Sequence, residues 1–181
     1  MNRRVSPPKI PSSMSLADLR QFGFEGGIRI RDLQDAARLG AADFPVPRIR
    51  GVYLVVRQDR SAVRFLRTSR AGAFKRRNPT RPIAALRDQW VPDATIVYIG
   101  KAGGTGRRAT LHSRLLSYMR FGLGHPAGHW GGRCIWQLSD VGALRVYWKP
   151  MPTGEPRDLE KRLLAVFFRC YGCLPFANLT R

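Results

Sequence analysis

A chain of 181 residues exceeds what one core needs and falls short of two full-sized domains, so one domain with an arm is expected. Its 44% hydrophobic share is that of an ordinary globule, but 32 Lys and Arg against 12 Asp and Glu leave a net charge of +20. That balance excludes cationic partners and points to nucleic acid or an anionic membrane surface.

Arg outnumbers Lys 27 to 5. The guanidinium fork matches phosphate oxygens two at a time, which puts nucleic acid ahead of membrane. No apolar run reaches the ~18 residues of a spanning helix, and no apolar stretch follows the basic opening as in a secretory signal. The expectation is a cytoplasmic protein with no membrane partner. Three cysteines, an odd and small number, fit a reducing compartment.

Residues 1–13 are rich in Pro, Ser and basic groups and read as an arm. Ser15 is placed to cap a short helix through Leu16, Leu19 and Phe22. A Gly-rich break leads to a short extended IRI (28–30), and Asp32 opens a second helix with Leu33, Ala36, Ala37 and Leu39 on one face, stopped by Pro45 and Pro47. Residues 1–50 are thus expected as an arm and short helices packing on a main domain over 51–181.

GVYLVVR (51–57) reads as a buried strand, and VRFLRT (63–68) as its partner. Residues 69–81 have no period, five cations and no acid, and read as a loop; Pro82 then opens a helix to about Gln89. TIVYIG (95–100) is a second apolar strand, followed by a flexible Gly-rich basic turn over 101–108. A helix over about 109–122 buries Leu111, Leu115 and Met119, with Arg107, Arg114 and Tyr118 on an adjoining face. CIWQL and LRVYWKP are expected as a hairpin. A last helix from Glu155 to about Tyr171 turns Leu159, Leu163, Val166, Phe167 and Cys170 inward. The fold class expected is α+β, a small, mainly antiparallel sheet flanked by helices with a helical N-terminal extension.

Charge is unevenly spread: residues 51–89 hold 10 basic and 2 acidic groups. Acids are scarce after Asp88, where only Asp93, Asp140, Glu155, Asp158 and Glu160 remain. A two-metal phosphodiesterase needs several converging carboxylates. One metal held by one carboxylate and waters is the more economical reading, and magnesium tolerates it. Cys170 and Cys173 with His125 and His129 make a formal zinc set; the competing reading of Cys170 is a buried, inert thiol.

Gly51-Val52-Tyr53 on one strand, Tyr98-Ile99-Gly100 on the next, Arg114 in a following helix, Glu160 on a later helix and Asn178 near the end resemble, in this order, the GIY-YIG nuclease family. The resemblance covers about residues 51–181. Two departures stand out: Tyr53 and Tyr98 are 45 positions apart, through an insertion over about 58–94 where members commonly have a short turn, and Tyr118 stands where several members carry histidine.

The resemblance implies a GIY-YIG-like fold and an endonuclease hydrolysing DNA phosphodiesters with Mg2+ or Mn2+. On that reading Tyr53 is the base, Tyr98 orients water or phosphate, Lys101 and the metal favour the phenolate, Arg114 clamps the phosphate, Glu160 holds the metal, and Asn178 holds Glu160 or Tyr53. Gly51 and Gly100 are the motif glycines. Candidate nucleic-acid contacts are Arg67, Arg70, Lys75, Arg76, Arg77 and Arg81 in the insertion, with Arg107, Arg108, Tyr118, His129 and Arg133 beyond it. The expected partner is DNA, including branched or damaged DNA, with RNA as the alternative. A catalytically inactive DNA- or RNA-binding module on the same fold is the rival reading.

Overall fold

The computed structural model describes residues 14–106 and 108–179; the expected arm over 1–13 and the candidate contact Arg107 lie outside them. The fold is α+β: four antiparallel strands in the order β1-β4-β2-β3, flanked by helices. The strands are β1 (Glu25–Arg29), β2 (Gly51–Val56), β3 (Ile96–Ala102) and β4 (Arg145–Pro150). The helices are α1 (Leu16–Gln21), α2 (Ile30–Leu39), α3 (Ile83–Gln89), α4 (Leu111–Gly122) and α5 (Pro156–Tyr171). Among the described residues no helix is long and apolar enough to cross a membrane.

All six residues of β2 are buried, because the strand is central and covered on both faces. Alternation divides its side chains between two cores. Tyr53 and Val55 join a layer with Ile30 and Leu33 of α2, Leu115 and Tyr118 of α4, and Trp136. Val52, Leu54 and Val56 face Leu19 of α1 and Leu163, Val166 and Phe167 of α5. Ser15 caps α1 as expected, its Oγ accepting from Asp18 N at 3.1 Å.

Several local expectations are corrected. Residues 63–68 are not a partner of β2, whose two edges are already occupied by β3 and β4; Phe65 instead meets Leu138 in a single bridge. CIWQL does not form a hairpin with β4. It belongs to a 3-10 segment, Trp130–Gln137, and its apolar run is satisfied by complete burial of Cys134, Ile135 and Trp136.

The front section adds more than helices, since β1 pairs with β4 and extends the sheet. α2 starts at Ile30 and ends at Gly40, before the prolines; Asp32 bonds back to Arg29 at 2.7 Å, and Leu39 at the helix end is 81% exposed. Cys170 is exposed, because the last turn of α5 runs beyond its cover and leaves Phe168 and Arg169 exposed beside it.

Candidate functional site

The site forms where the β2 and β3 motifs lie side by side. Tyr53 is paired in register with Gly100. A Cβ on Gly100 would lie 2.5 Å from Tyr53 Cζ and 2.6 Å from its Oη, so the bare glycine is what lets the phenol lie across β3. Gly51 is constrained in the same way, its missing Cβ facing the Lys149 carbonyl and Leu111. The motif glycines thus have a packing reason.

Tyr53 and Tyr98 meet edge to face at 5.9 Å between ring centroids, and Tyr118 closes the triangle at 6.5 and 5.9 Å. Tyr118, expected as a nucleic-acid contact, is fully buried and donates its hydroxyl to Gly132 O at 2.8 Å. His129, also expected at the surface, is 3% exposed and packs on Tyr118 at 5.1 Å. Both are inside because Gly131 and Gly132 let the 3-10 segment fold directly over the rings; a Cβ at Gly132 would lie 2.6 Å from Tyr118 Oη.

Arg114 enters from α4, whose start is firmly held. Thr110 and Ser113 form a reciprocal capping box, and Leu111 N and His112 N donate to Ile49 O and Pro47 O at 2.7 and 3.0 Å. Arg114 is half-buried, and its charge bears on Tyr53, Tyr98, Tyr118, His129 and Glu160. Tyr53 Oη and Arg114 Nε are both buried without a well-formed hydrogen bond among the described residues, and the two side chains stabilise each other's charged forms. Buried polar atoms without well-formed hydrogen bonds are costly.

Glu160 stands on α5, which covers the other face of the sheet, and the cleft it lines does not include Tyr53, Tyr98 or Arg114. Its carboxylate is half-buried and makes no hydrogen bond or ion pair among the described residues. It lines a cleft of about 470 Å³ with Lys101, Thr105, Arg157, Lys161 and Asn178. Glu155, the other acid there, is engaged: it accepts from Thr105 N and Oγ1 at 3.0 and 2.7 Å and latches the Gly-rich turn, which was expected to be flexible.

The charges differ in part from expectation. Burial pushes the Tyr53 phenol up, and the cation opposing this is Arg114 rather than Lys101. Burial also raises the Glu160 carboxyl, opposed by Lys101, Arg114 and Arg157. His129 is held down at about 3 by burial and by Arg114, so it is neutral at neutral pH.

Asn178 holds neither Glu160 nor Tyr53. Its side-chain amide accepts from Ile99 N at 2.9 Å and donates to Ile99 O at 2.8 Å, and Ala177 N donates to Val97 O at 2.9 Å. The C-terminal segment therefore closes the free edge of β3 beside the cleft.

Arg67, Arg70, Lys75, Arg76, Arg77 and Arg108 are exposed and do not line the Glu160 cleft; Arg81 and Arg133 are half-buried. Arg157 and Lys161 were missed by sequence reasoning. The available signal was helical spacing, which puts Arg157, Glu160 and Leu164 on one face of α5.

A hard divalent cation needs oxygen donors. The unengaged Glu160 carboxylate fits that need, while among the described residues no group of three His, Cys, Asp or Glu can hold a metal. The formal zinc set is divided, with His129 buried and Cys170 and Cys173 exposed. One protein carboxylate, water and a substrate phosphate would have to complete the shell of Mg2+ or Mn2+.

No family model, curated protein or solved structure matches the chain.

Proposed function

We propose that the protein is an endonuclease that hydrolyses DNA phosphodiesters with Mg2+ or Mn2+, in the manner of the GIY-YIG nucleases it resembles. The observation that carries this reading is the packing of Tyr53 on Tyr98, Tyr118 and Gly100 beside the half-buried Arg114, whose charge bears on both motif tyrosines and on Glu160. Tyr53, Tyr98 and Glu160 come from two strands and a helix spread over 107 positions of sequence, and a phosphate binding beside Arg114 would use the cation they share.

Each residue has a definite task on this reading. The Tyr53 phenolate takes the proton of the attacking water as its oxygen bonds to phosphorus and the bond to the leaving oxygen breaks. Arg114 neutralises charge building on the non-bridging oxygens. Tyr98 holds the Tyr53 ring edge-on and fixes where its hydroxyl points. Lys101, Arg157 and Lys161 draw the substrate backbone into the cleft. Glu160 would hold the metal, which supplies Lewis-acid stabilisation of the phosphate when bound. The cytosol is the proposed location, supported by two exposed and unpaired thiols, Cys170 and Cys173.

Purified protein with Mg2+ or Mn2+ should nick supercoiled plasmid and branched DNA. Arg114→Ala and Glu160→Ala should each lower the rate by about 10²-fold or more. Variants that cut as well as the wild type would refute the site. One observation favours a second reading, an inactive binding module: Tyr53 is fully buried. Tight, salt-sensitive DNA binding with no cleavage under either metal would establish it.

A further inference from the structure

Between β2 and α3 lies a strongly cationic surface. Arg67, Arg70, Lys75, Arg76, Arg77 and Arg81 fall within a stretch that has no carboxylate from Arg60 to Arg87. Arg67, Arg70, Lys75, Arg76 and Arg77 are exposed, and none pairs with an acid among the described residues. A solvated basic loop would ordinarily be mobile, but this one is strapped to the 3-10 segment.

Leu66 N and Arg70 N donate to Gln137 O and Trp136 O at 2.8 and 3.1 Å. The fully buried Gln137 side chain ties both ends together: it donates to Leu66 O at 3.0 Å and Arg81 O at 2.8 Å, and accepts from Arg81 N at 2.8 Å. Gly72 N donates to Phe121 O at 2.8 Å, in a gap where a Cβ would strike the carbonyls of Gly124 and His125.

The tip is a tight turn closed by Phe74 and Arg77, with Lys75 and Arg76 at φ of 50° and 60°. Asn-Gly fills such a turn with least strain. Here two long, exposed cations occupy it, at the end of a loop whose base is hydrogen-bonded to the 3-10 segment.

The surroundings indicate what this surface grips. Single-stranded nucleic acid is bound largely by stacking bases on exposed aromatic rings. Phe74 is half-buried beneath Lys75, and the half-buried Trp130 ring is covered by Arg133 at 4.3 Å. Phe168, the one exposed large aromatic among the described residues, is on α5, on the other face of the sheet. A surface of rigidly placed cations without stacking platforms suits a duplex backbone.

We propose that residues 67–81 are an exosite for the phosphate backbone of a DNA duplex, which sets affinity and duplex preference without entering the chemistry. The inference rests on the nuclease reading only for the identity of the substrate. The loop and the tyrosine cluster share the 3-10 segment as support, so a duplex held by one is held in a set position relative to the other.

The test uses full-length protein in EDTA, with fluorescence anisotropy on a labelled duplex of about 25 base pairs and on the single strand of the same length. The triple variant Lys75→Gln, Arg76→Gln, Arg77→Gln should bind the duplex about tenfold more weakly or worse, with the log–log salt slope reduced by about 2.7. Single-strand affinity should change by less than about threefold. The pair Arg67→Gln, Arg70→Gln leaves the turn intact and should act in the same direction. With metal present, KM should rise and kcat should hold.

Unchanged duplex affinity and slope in both variants would overturn the exosite, as would equal losses on duplex and single strand, or losses confined to an RNA duplex. Duplex binding that responds to the variants while neither metal supports cleavage would uphold the exosite and remove the nuclease reading.

Discussion

Gly100→Ala isolates the close approach on which the site depends. The new Cβ would meet Tyr53 Cζ, Oη and Cε1 at 2.5, 2.6 and 2.9 Å, where ordinary contact begins at 3.4 Å. Tyr53 cannot retreat, because it is fully buried and flanked by the rings of Tyr98 and Tyr118. Overpacking of this kind costs about 1–3 kcal/mol. Replacing a strand glycine by alanine returns about 0.5–1 kcal/mol through lost unfolded-state freedom. The net destabilisation expected lies between about 0 and 2.5 kcal/mol.

In a Tyr53→Leu background the ring atoms are gone, and the same change should be neutral or stabilising by up to about 1 kcal/mol. Urea unfolding followed by circular dichroism, on the wild type, both single variants and the double variant, measures the coupling, expected at about 1–3 kcal/mol. Equal m-values confirm that the unfolded states are comparable. Additivity within about 0.5 kcal/mol would refute the claim that Gly100 is there for Tyr53.

Tyr53 as base predicts an alkaline pH profile. Burial raises its phenol against the opposing Arg114 charge, so kcat/KM should climb steadily from pH 7 to 9 with no plateau, the unperturbed value being near ~10; a plateau at neutral pH would exclude it. Asn178→Ala removes both bonds to Ile99 and should cost about 1–2 kcal/mol, with faster hydrogen exchange at the Ile99 amide; unchanged protection there would refute the edge-closing role. His129 has a folded value near 3, below its unfolded ~6.5, so the unfolded chain takes up the proton first on acidification. Its contribution is complete above pH ~6.5 and is lost towards pH 3 at up to about 1.4 kcal/mol per pH unit. Denaturant titrations at pH 7, 5.5 and 4.5 should therefore fall more steeply for the wild type than for His129→Phe, and parallel curves would refute this.

Patterns confined to a few neighbouring residues were legible in the sequence. The unbroken apolar runs of β2 and β3, the stripe of α4 and the inward face of α5 through Phe167 all report burial directly, because periodicity records which faces meet the core. Tyr53, Tyr98, Arg114 and Glu160 were singled out by the motifs they resemble and not by periodicity. Hidden were matters settled by competition for partners. Residues 63–68 have strand composition, yet both edges of β2 were already filled. CIWQL has strand composition too, yet its burial is achieved as a 3-10 segment whose carbonyls receive Leu66 and Arg70. Asn178 carries no mark that its amide closes the edge of β3.

By itself the sequence determined an α+β fold and an excess of cations suited to an anionic partner, because composition and local periodicity carry both. Tertiary structure alone decided where those charges act. Arg114 stands on α4 beside the tyrosine cluster, Glu160 stands on α5 in a cleft with Lys101, and the Arg114 charge bears on both. His129 and Tyr118 are removed from the surface, and the cations of 67–81 are pinned by one buried glutamine. The physical reason is that burial and charge pairing depend on distances between elements far apart in the chain, which no local pattern records.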